Sequence, residues 1–335
     1  MPITLTLAHS PDPDDVFMWW PITGMIEPPA DPQRVEPARV VSPPEIDTGP
    51  FRFVPIAADI AALNRRAVAG SPETDLDITA LSIFAWAHVH ARYALTAFGS
   101  STGYGYGPKV VARAAPPGPS ASPACYAGAI SPRDAGVRAL LEPGALTAIP
   151  GRQTTAFLLL SMMLGDDAPR LRTLEMAFNR ILDAVSNGAC GVTHGLLIHQ
   201  SQLTFAQLGL DLVADVGEWW LARTGLPLPL GGNAVRRDLD ARHGPGTTQA
   251  VVDVLDRSLR HAVEHRERSL EYCMRFAPEI TRAQAERYIE MYVSDLTVDA
   301  GEPGRGAMQR LLDEAADRGL GPPVGTVELL RATPR

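Results

Sequence analysis

Lysine is almost missing from this chain of 335 residues: of its 30 basic side chains, Lys109 is the only lysine. The arginines are scattered, and 38 acidic residues bring the formal net charge to −8. A surface that grips phosphate backbones needs clustered Lys and Arg, so no nucleic-acid partner is expected. Cysteine is scarce too. Cys125, Cys190 and Cys273 show no CxxC spacing and leave one thiol over in any disulfide scheme, which points to reduced thiols in a cytosolic protein. No run approaches the roughly 20 apolar residues of a membrane span, so no membrane partner is expected. The opening MPITLTLAHSPDPDD has neither the basic n-region nor the apolar h-region of an export signal, and a cytoplasmic location follows as the expectation.

What is present is an apolar fraction of 45% and enough length for two lobes of roughly 100–200 residues each. Strand-like runs at 3–8, 51–56, 77–82, 92–98, 109–112, 145–149, 192–198 and 210–216 alternate with helical periods, among them 57–68 and 154–164. The Pro-rich stretch 28–50 and the Pro/Gly/Ser-rich stretch 114–123 read as loops. Beyond Gly232 the pattern turns helical, over 247–276, 281–292 and 305–318, with Val251, Leu255, Leu259 and Val263 as a buried stripe. Strand–helix alternation predicts an α/β fold whose largely parallel sheet is covered on both faces, with ligands bound at the carboxyl ends of the strands. Lobe crossings are placed near Gly107 and Leu230. The first lobe is then discontinuous, 1–107 with 231–335, and the second spans 108–230.

Several segments at such strand ends could carry chemistry. SPDPDD at 10–15 either caps the next helix or sets Ser10 and Asp14 on the rim of a binding cleft. At the end of TALS, residues 79–82, backbone amides and the Ser82 hydroxyl could hold a carboxylate or carbonyl, although a serine there also suits a helix cap. GYGYGP at 103–108 lacks the spacing of a dinucleotide fingerprint and precedes a strand, so it suits a chain crossing with close backbone approach. PGRQTTA at 150–156 is a strand–turn–helix junction. Its free amides, with the hydroxyls of Thr154 and Thr155, suit a carboxylate as well as ordinary capping. GLLIHQ at 195–200 delivers His199 to a strand end, where partial desolvation would keep the ring neutral, as a proton acceptor requires. His194, at an odd spacing, should then lie on the opposite strand face. The block 217–233, with Trp219, Trp220 and a Pro-interrupted run, offers rigid packing. HAVEH at 261–265 fits a zinc pattern, but Arg257, Arg260, Arg266 and Arg268 surround it and no third ligand is marked, so no metal is expected there. His88 and His90 lack a third partner as well.

Taken in order, SPDPDD, TALS, GYGYGP, PGRQTTA, GLLIHQ and GEWWLARTGLPLPLGG resemble the 1,4-dihydroxy-6-naphthoate synthase family, from about residue 5 to 319, with YVSDLT at 292–297 echoing a C-terminal motif. The resemblance implies a periplasmic-binding-protein-like fold of type II, two lobes with a central cleft. It also implies a lyase of menaquinone biosynthesis that converts cyclic dehypoxanthine futalosine, a small molecule with a carboxylate, without a cofactor. By the same matching, His199 is the catalytic proton acceptor, and Ala80, Leu81, Ser82, Thr154 and Thr155 contact the substrate. The chain departs from the family pattern at Asp14, Ala80, Thr193, His194, Gln200 and Ser294, where the family often has Asn, Lys, Asp, Ala, Glu and Asn. Two alternatives compete. A chorismate dehydratase would share the fold, and a solute-binding protein would share the cleft but require an export signal.

Overall fold

The computed structural model describes residues 2–113 and 137–334, so the expected loop at 114–123 and Cys125 lie outside the described residues. The chain forms two compact units. The first comprises 1–103, 153–155 and 226–335; the second comprises 104–152 and 156–225. Expected crossings at Gly107 and Leu230 thus fall instead at Gly103/Tyr104 and Gly225/Leu226. The reason is a strand pair: Ser101–Gly103 bonds antiparallel to Leu228–Arg236, with Leu228 opposite Gly103, which keeps both segments in the first unit.

In the first unit the sheet runs in the order Leu329–Leu330, Tyr93–Thr96, Leu228–Arg236, Ile78–Ser82, Ile3–His9, Phe51–Ala57. Ile3–His9 is parallel to both its neighbours, with Ala8 opposite Ile56 on one side and Thr79 on the other. Phe51–Ala57 is an edge strand, which is where a proline is tolerated, and the Pro55 carbonyl accepts from the Ala38 amide of the Pro-rich stretch 28–50. Helix Pro13–Thr23 buries every residue, the acidic Asp14 and Asp15 of its first turn included, as a helix enclosed on all sides does. Its Met18 carbonyl accepts from Ser258, and the Trp20 indole donates to Ser269 at 3.0 Å.

Two helical expectations need correction. Residues 247–276 form two helices, Thr247–Glu264 and Arg266–Cys273, followed by a short 3-10 turn, because His265 leaves helical geometry at φ −106°, ψ 44°. Val263 is 38% exposed and the core stripe continues through Ala262 instead. A 3.6-residue period drifts against strict four-residue steps, so after Val251, Leu255 and Leu259 the next inward position is three residues on.

The second unit holds a sheet in the order Leu210–Asp215, Lys109–Arg113, His194–Leu197, Thr147–Ile149, Thr173–Glu175. Its core gathers Val111, Ala148, Ile181, Val185, Val192, Leu197 and Leu210. Helix Phe178–Asn187 packs onto His194–Leu197 closely because Gly195 carries no side chain: a Cβ there would lie 2.6 Å from Val185 Cγ2 and 2.8 Å from Ile181 Cγ2. Gly217 plays a similar part at the start of helix Val216–Thr224. A Cβ there would meet the Tyr106 carbonyl carbon at 2.1 Å and the Gly107 nitrogen at 2.4 Å. The close backbone approach expected of GYGYGP therefore exists, but the glycine that permits it is the one in GEWW. Among the described residues no helix is long and apolar enough to cross a membrane.

Candidate active site

Within the first unit the parallel strands Ile3–His9 and Ile78–Ser82 bring Ser10 and Ser82 to the same, carboxyl, end of the sheet. Leu228–Arg236 is antiparallel and starts at that end, with Gly231 opposite Ser82. Residues 153–155 join this unit there. The Thr155 hydroxyl donates to the Leu230 carbonyl at 2.7 Å and accepts from the Phe84 amide at 3.2 Å. Three segments far apart in sequence, at 84, 155 and 230, thus converge through one hydroxyl. Ala80 and Leu81 are buried mid-strand, opposite Asn233 and Gly232, and Thr154 is buried as well. The Ser82 hydroxyl accepts from the Asn64 amide at 2.9 Å while Asn64 Oδ1 accepts from the Ser82 N–H at 3.0 Å. Both groups of Ser82 that the sequence offers to a ligand therefore have an internal partner, and neither caps the following helix.

SPDPDD is buried almost throughout, with Ser10, Asp12, Asp14 and Asp15 all under 10% exposed. Asp12 stands at the N-cap of helix Pro13–Thr23, yet its side chain makes no capping bond. Instead Asp15 reaches back and accepts from the Ser10 amide at 2.9 Å. The Ser10 hydroxyl is buried and has no hydrogen-bond partner among the described residues. Asp14 faces the Tyr288 hydroxyl at 3.4 Å, and the Tyr288 and Tyr292 rings lie 4.8 Å apart. Burial, reinforced by the charges of Asp12 and Asp14, raises the Asp15 carboxyl well above the ordinary carboxylate range. The preceding His9 is buried, its Nδ1–H donating to the Ser10 carbonyl at 2.8 Å, and burial lowers its pKa so that the ring stays neutral. Sequence reasoning overlooked His9, Asp15, Asn64 and Tyr288. The strand-end position of His9 was a usable signal; nothing in the sequence singled out Tyr288.

A raised carboxyl pKa has a definite consequence for stability. From about pH 4 upward the folded protein holds a proton on Asp15 that the unfolded chain releases, so this residue makes stability fall as pH rises toward its folded pKa. Asp15→Asn keeps an oxygen to accept from Ser10 but has nothing to ionise. Its urea midpoint should exceed that of the parent at pH 7–8, with the gap closing below about pH 4. A gap independent of pH would contradict the assignment.

In the second unit His194–Leu197 pairs with Lys109–Arg113 antiparallel, Lys109 lying opposite Leu197. Lys109 forms an ion pair with Asp215, both largely buried, and Asp215 Oδ1 also caps helix Val216–Thr224 by accepting from Gly217 at 2.9 Å and Glu218 at 3.0 Å. The lone lysine thus braces a helix start. His199 follows the strand by two residues. Ile198 is extended, then His199 takes φ +57°, a left-handed conformation that is uncommon for a residue with a side chain. The Ser201 hydroxyl donates to the Ile198 carbonyl at 2.6 Å across this turn. The His199 ring meets Phe178 edge-to-face, with centroids 4.5 Å apart and planes at 75°. The strand ends at Leu197, so the alternation of strand faces does not extend to His199 and does not set it opposite His194. Burial lowers the pKa of His194, whose Nδ1 lies 2.8 Å from the Thr193 hydroxyl.

Trp220 is fully buried on helix Val216–Thr224, while Trp219 carries Arg223 over its ring at 5.7 Å. The HAVEH histidines stack on each other at 4.0 Å. Among the described residues, no group of three or more His, Cys, Asp or Glu is placed to hold a metal ion.

Comparison with known proteins adds a family to this geometry. A family model described as menaquinone biosynthesis matches residues 5–317. The 1,4-dihydroxy-6-naphthoate synthase of Thermus thermophilus is 35% identical over 319 residues, covering 95% of this chain and 96% of the relative. That of Streptomyces coelicolor is 32% identical, covering 96% of each. Among solved structures, protein AF1704 from Archaeoglobus fulgidus superposes with a TM-score of 0.71 at 31% identity, over 95% of this chain and 98% of that one. The Candida albicans CA3427 gene product, described as having the generic periplasmic binding protein fold, matches at a TM-score of 0.60 and 9% identity over 99% and 98% of the chains. That likeness speaks for the fold alone, an α/β fold of the periplasmic-binding-protein type.

Proposed function

The chain belongs to the menaquinone biosynthesis family, and from that premise we propose that it is a carbon–carbon lyase, a 1,4-dihydroxy-6-naphthoate synthase acting on cyclic dehypoxanthine futalosine. In this reading His199 is the general base. It removes a proton that a neighbouring carbonyl of the substrate acidifies, the electrons left behind release the sugar-derived fragment, and aromatisation of the remaining ring drives the step. A positioned base of this kind contributes about 10²–10⁴-fold in rate. No external oxidant or reductant enters the balance, so no cofactor is assigned.

The observation that carries the reading is the conformation of His199. Two residues beyond the strand, His199 adopts a left-handed backbone and holds its ring edge-to-face against Phe178, which gives the imidazole a defined place. Substrate contacts are assigned to Ser10, Asp14, Ala80, Leu81, Ser82, Thr154 and Thr155. The Ser10 hydroxyl, buried without a partner among the described residues, is a free hydrogen-bonding group for a ligand. The Ser82 hydroxyl accepts from Asn64 and the Thr155 hydroxyl donates to Leu230, bonds that also fix the shape of the strand ends these two present to a ligand.

Incubating the purified protein with cyclic dehypoxanthine futalosine should yield 1,4-dihydroxy-6-naphthoate, detected by mass. Turnover of chorismate with the futalosine-derived compound left untouched would move the protein to the dehydratase reading. Tight binding of that compound with no product would favour a binding protein.

A further inference from the structure

We propose that Phe178 is a positioning residue for His199, and that Gly195 is what allows it to be one. This rests on the reading of His199 as the general base. Phe178 opens helix Phe178–Asn187, and it is buried, at 6% exposure. The helix can bring it to residue 199 because its side chains press directly onto strand His194–Leu197 at Gly195. Gly195 leaves the space into which Val185 and Ile181 press, 2.6 and 2.8 Å from where its Cβ would stand. The last residue of that strand, Leu197, joins the same core cluster as both of them. Two residues beyond, the left-handed turn at φ +57° swings the imidazole onto the Phe178 ring.

The edge-to-face contact with Phe178 fixes the tilt of the imidazole, because aromatic pairs hold a preferred geometry as well as burying area. Proton transfer depends steeply on the placement of the base, and misplacement by about 1 Å can cost on the order of 10²-fold. Phe178 itself does not touch the reacting atoms; it acts through the imidazole.

The test compares Phe178→Leu and Phe178→Tyr with the parent, reading kcat and KM separately, thermal stability, and the His199 imidazole signal in a proton–carbon NMR spectrum. That signal is assigned by its disappearance in His199→Ala. Phe178→Leu should lower kcat by about tenfold or more with KM within about twofold, and displace the His199 signal. Phe178→Tyr, which keeps the ring, should restore both. Should the leucine variant fail to fold, Phe178→Met removes the ring with less loss of reach. An unmoved His199 signal and unchanged kcat in the ring-less variants would overturn the positioning role while leaving the base in place. Full activity in His199→Ala would instead remove the base, and with it the catalytic positioning assigned to Phe178.

Discussion

Replacing His199 with alanine should lower kcat by about 10²–10⁴-fold, the usual contribution of a positioned general base. Folding should survive. The residue is partly buried and sits in a turn after the strand, not in the core cluster of the second unit. Alanine at φ +57° keeps whatever backbone strain the turn carries, so the change in unfolding midpoint should reflect mainly the lost contact with Phe178. His199→Asn is the sharper control. Asparagine tolerates the left-handed region better than most residues and keeps hydrogen-bonding capacity, but it cannot accept a proton at neutral pH. Both variants should therefore be inactive and folded, as judged by steady-state rates and circular dichroism. Near-parental rates in His199→Asn would end the base assignment.

Gly217→Ala should be the most destabilising small substitution in the second unit. The methyl group would sit 2.1 Å from the Tyr106 carbonyl carbon, 2.3 Å from its oxygen and 2.4 Å from the Gly107 nitrogen. These are backbone atoms and cannot rotate away. Overpacking a tight site typically costs about 1–3 kcal/mol, and a clash with main chain should reach the upper end or exceed it. The damage would spread, because Gly217 also donates to Asp215, the partner of Lys109. Urea unfolding followed by tryptophan fluorescence reads this directly, since Trp220 is fully buried on the same helix. A midpoint equal to that of the parent would mean that the 106–107 segment can yield, and the tight packing assigned to it would fall.

Much of the fold was legible because it rests on local rules. Period-two apolar runs located Ile3–His9, Phe51–Ala57 and Ile78–Ser82 to within a residue or two, and a lone proline in Phe51–Ala57 was compatible with the edge position it occupies. Where the rules are not local, the reading slipped. Nothing near His265 marks a break as Gly or Pro would, so one helix was expected where two form. Val263 looked inward because four-residue steps overrun a 3.6-residue turn. The lobe crossings were displaced because the pairing of Ser101–Gly103 with Leu228–Arg236 joins residues more than a hundred positions apart.

The candidate site divides the same way. Residue types and their order along the chain were enough to single out His199, SPDPDD, TALS and PGRQTTA, since a chemical group is carried by its side chain wherever the chain goes. What each group is free to do depended on neighbours that only folding supplies. Asn64 bonds Ser82, Leu230 bonds Thr155, and within SPDPDD the Asp15 carboxyl accepts from Ser10 while the Asp12 side chain makes no capping bond. Phe178 orients His199 only because Gly195 lets a helix settle against its strand. Chemical identity is written residue by residue, whereas hydrogen-bond partners, burial and backbone strain arise from contacts between distant segments, and those exist only once the chain has packed.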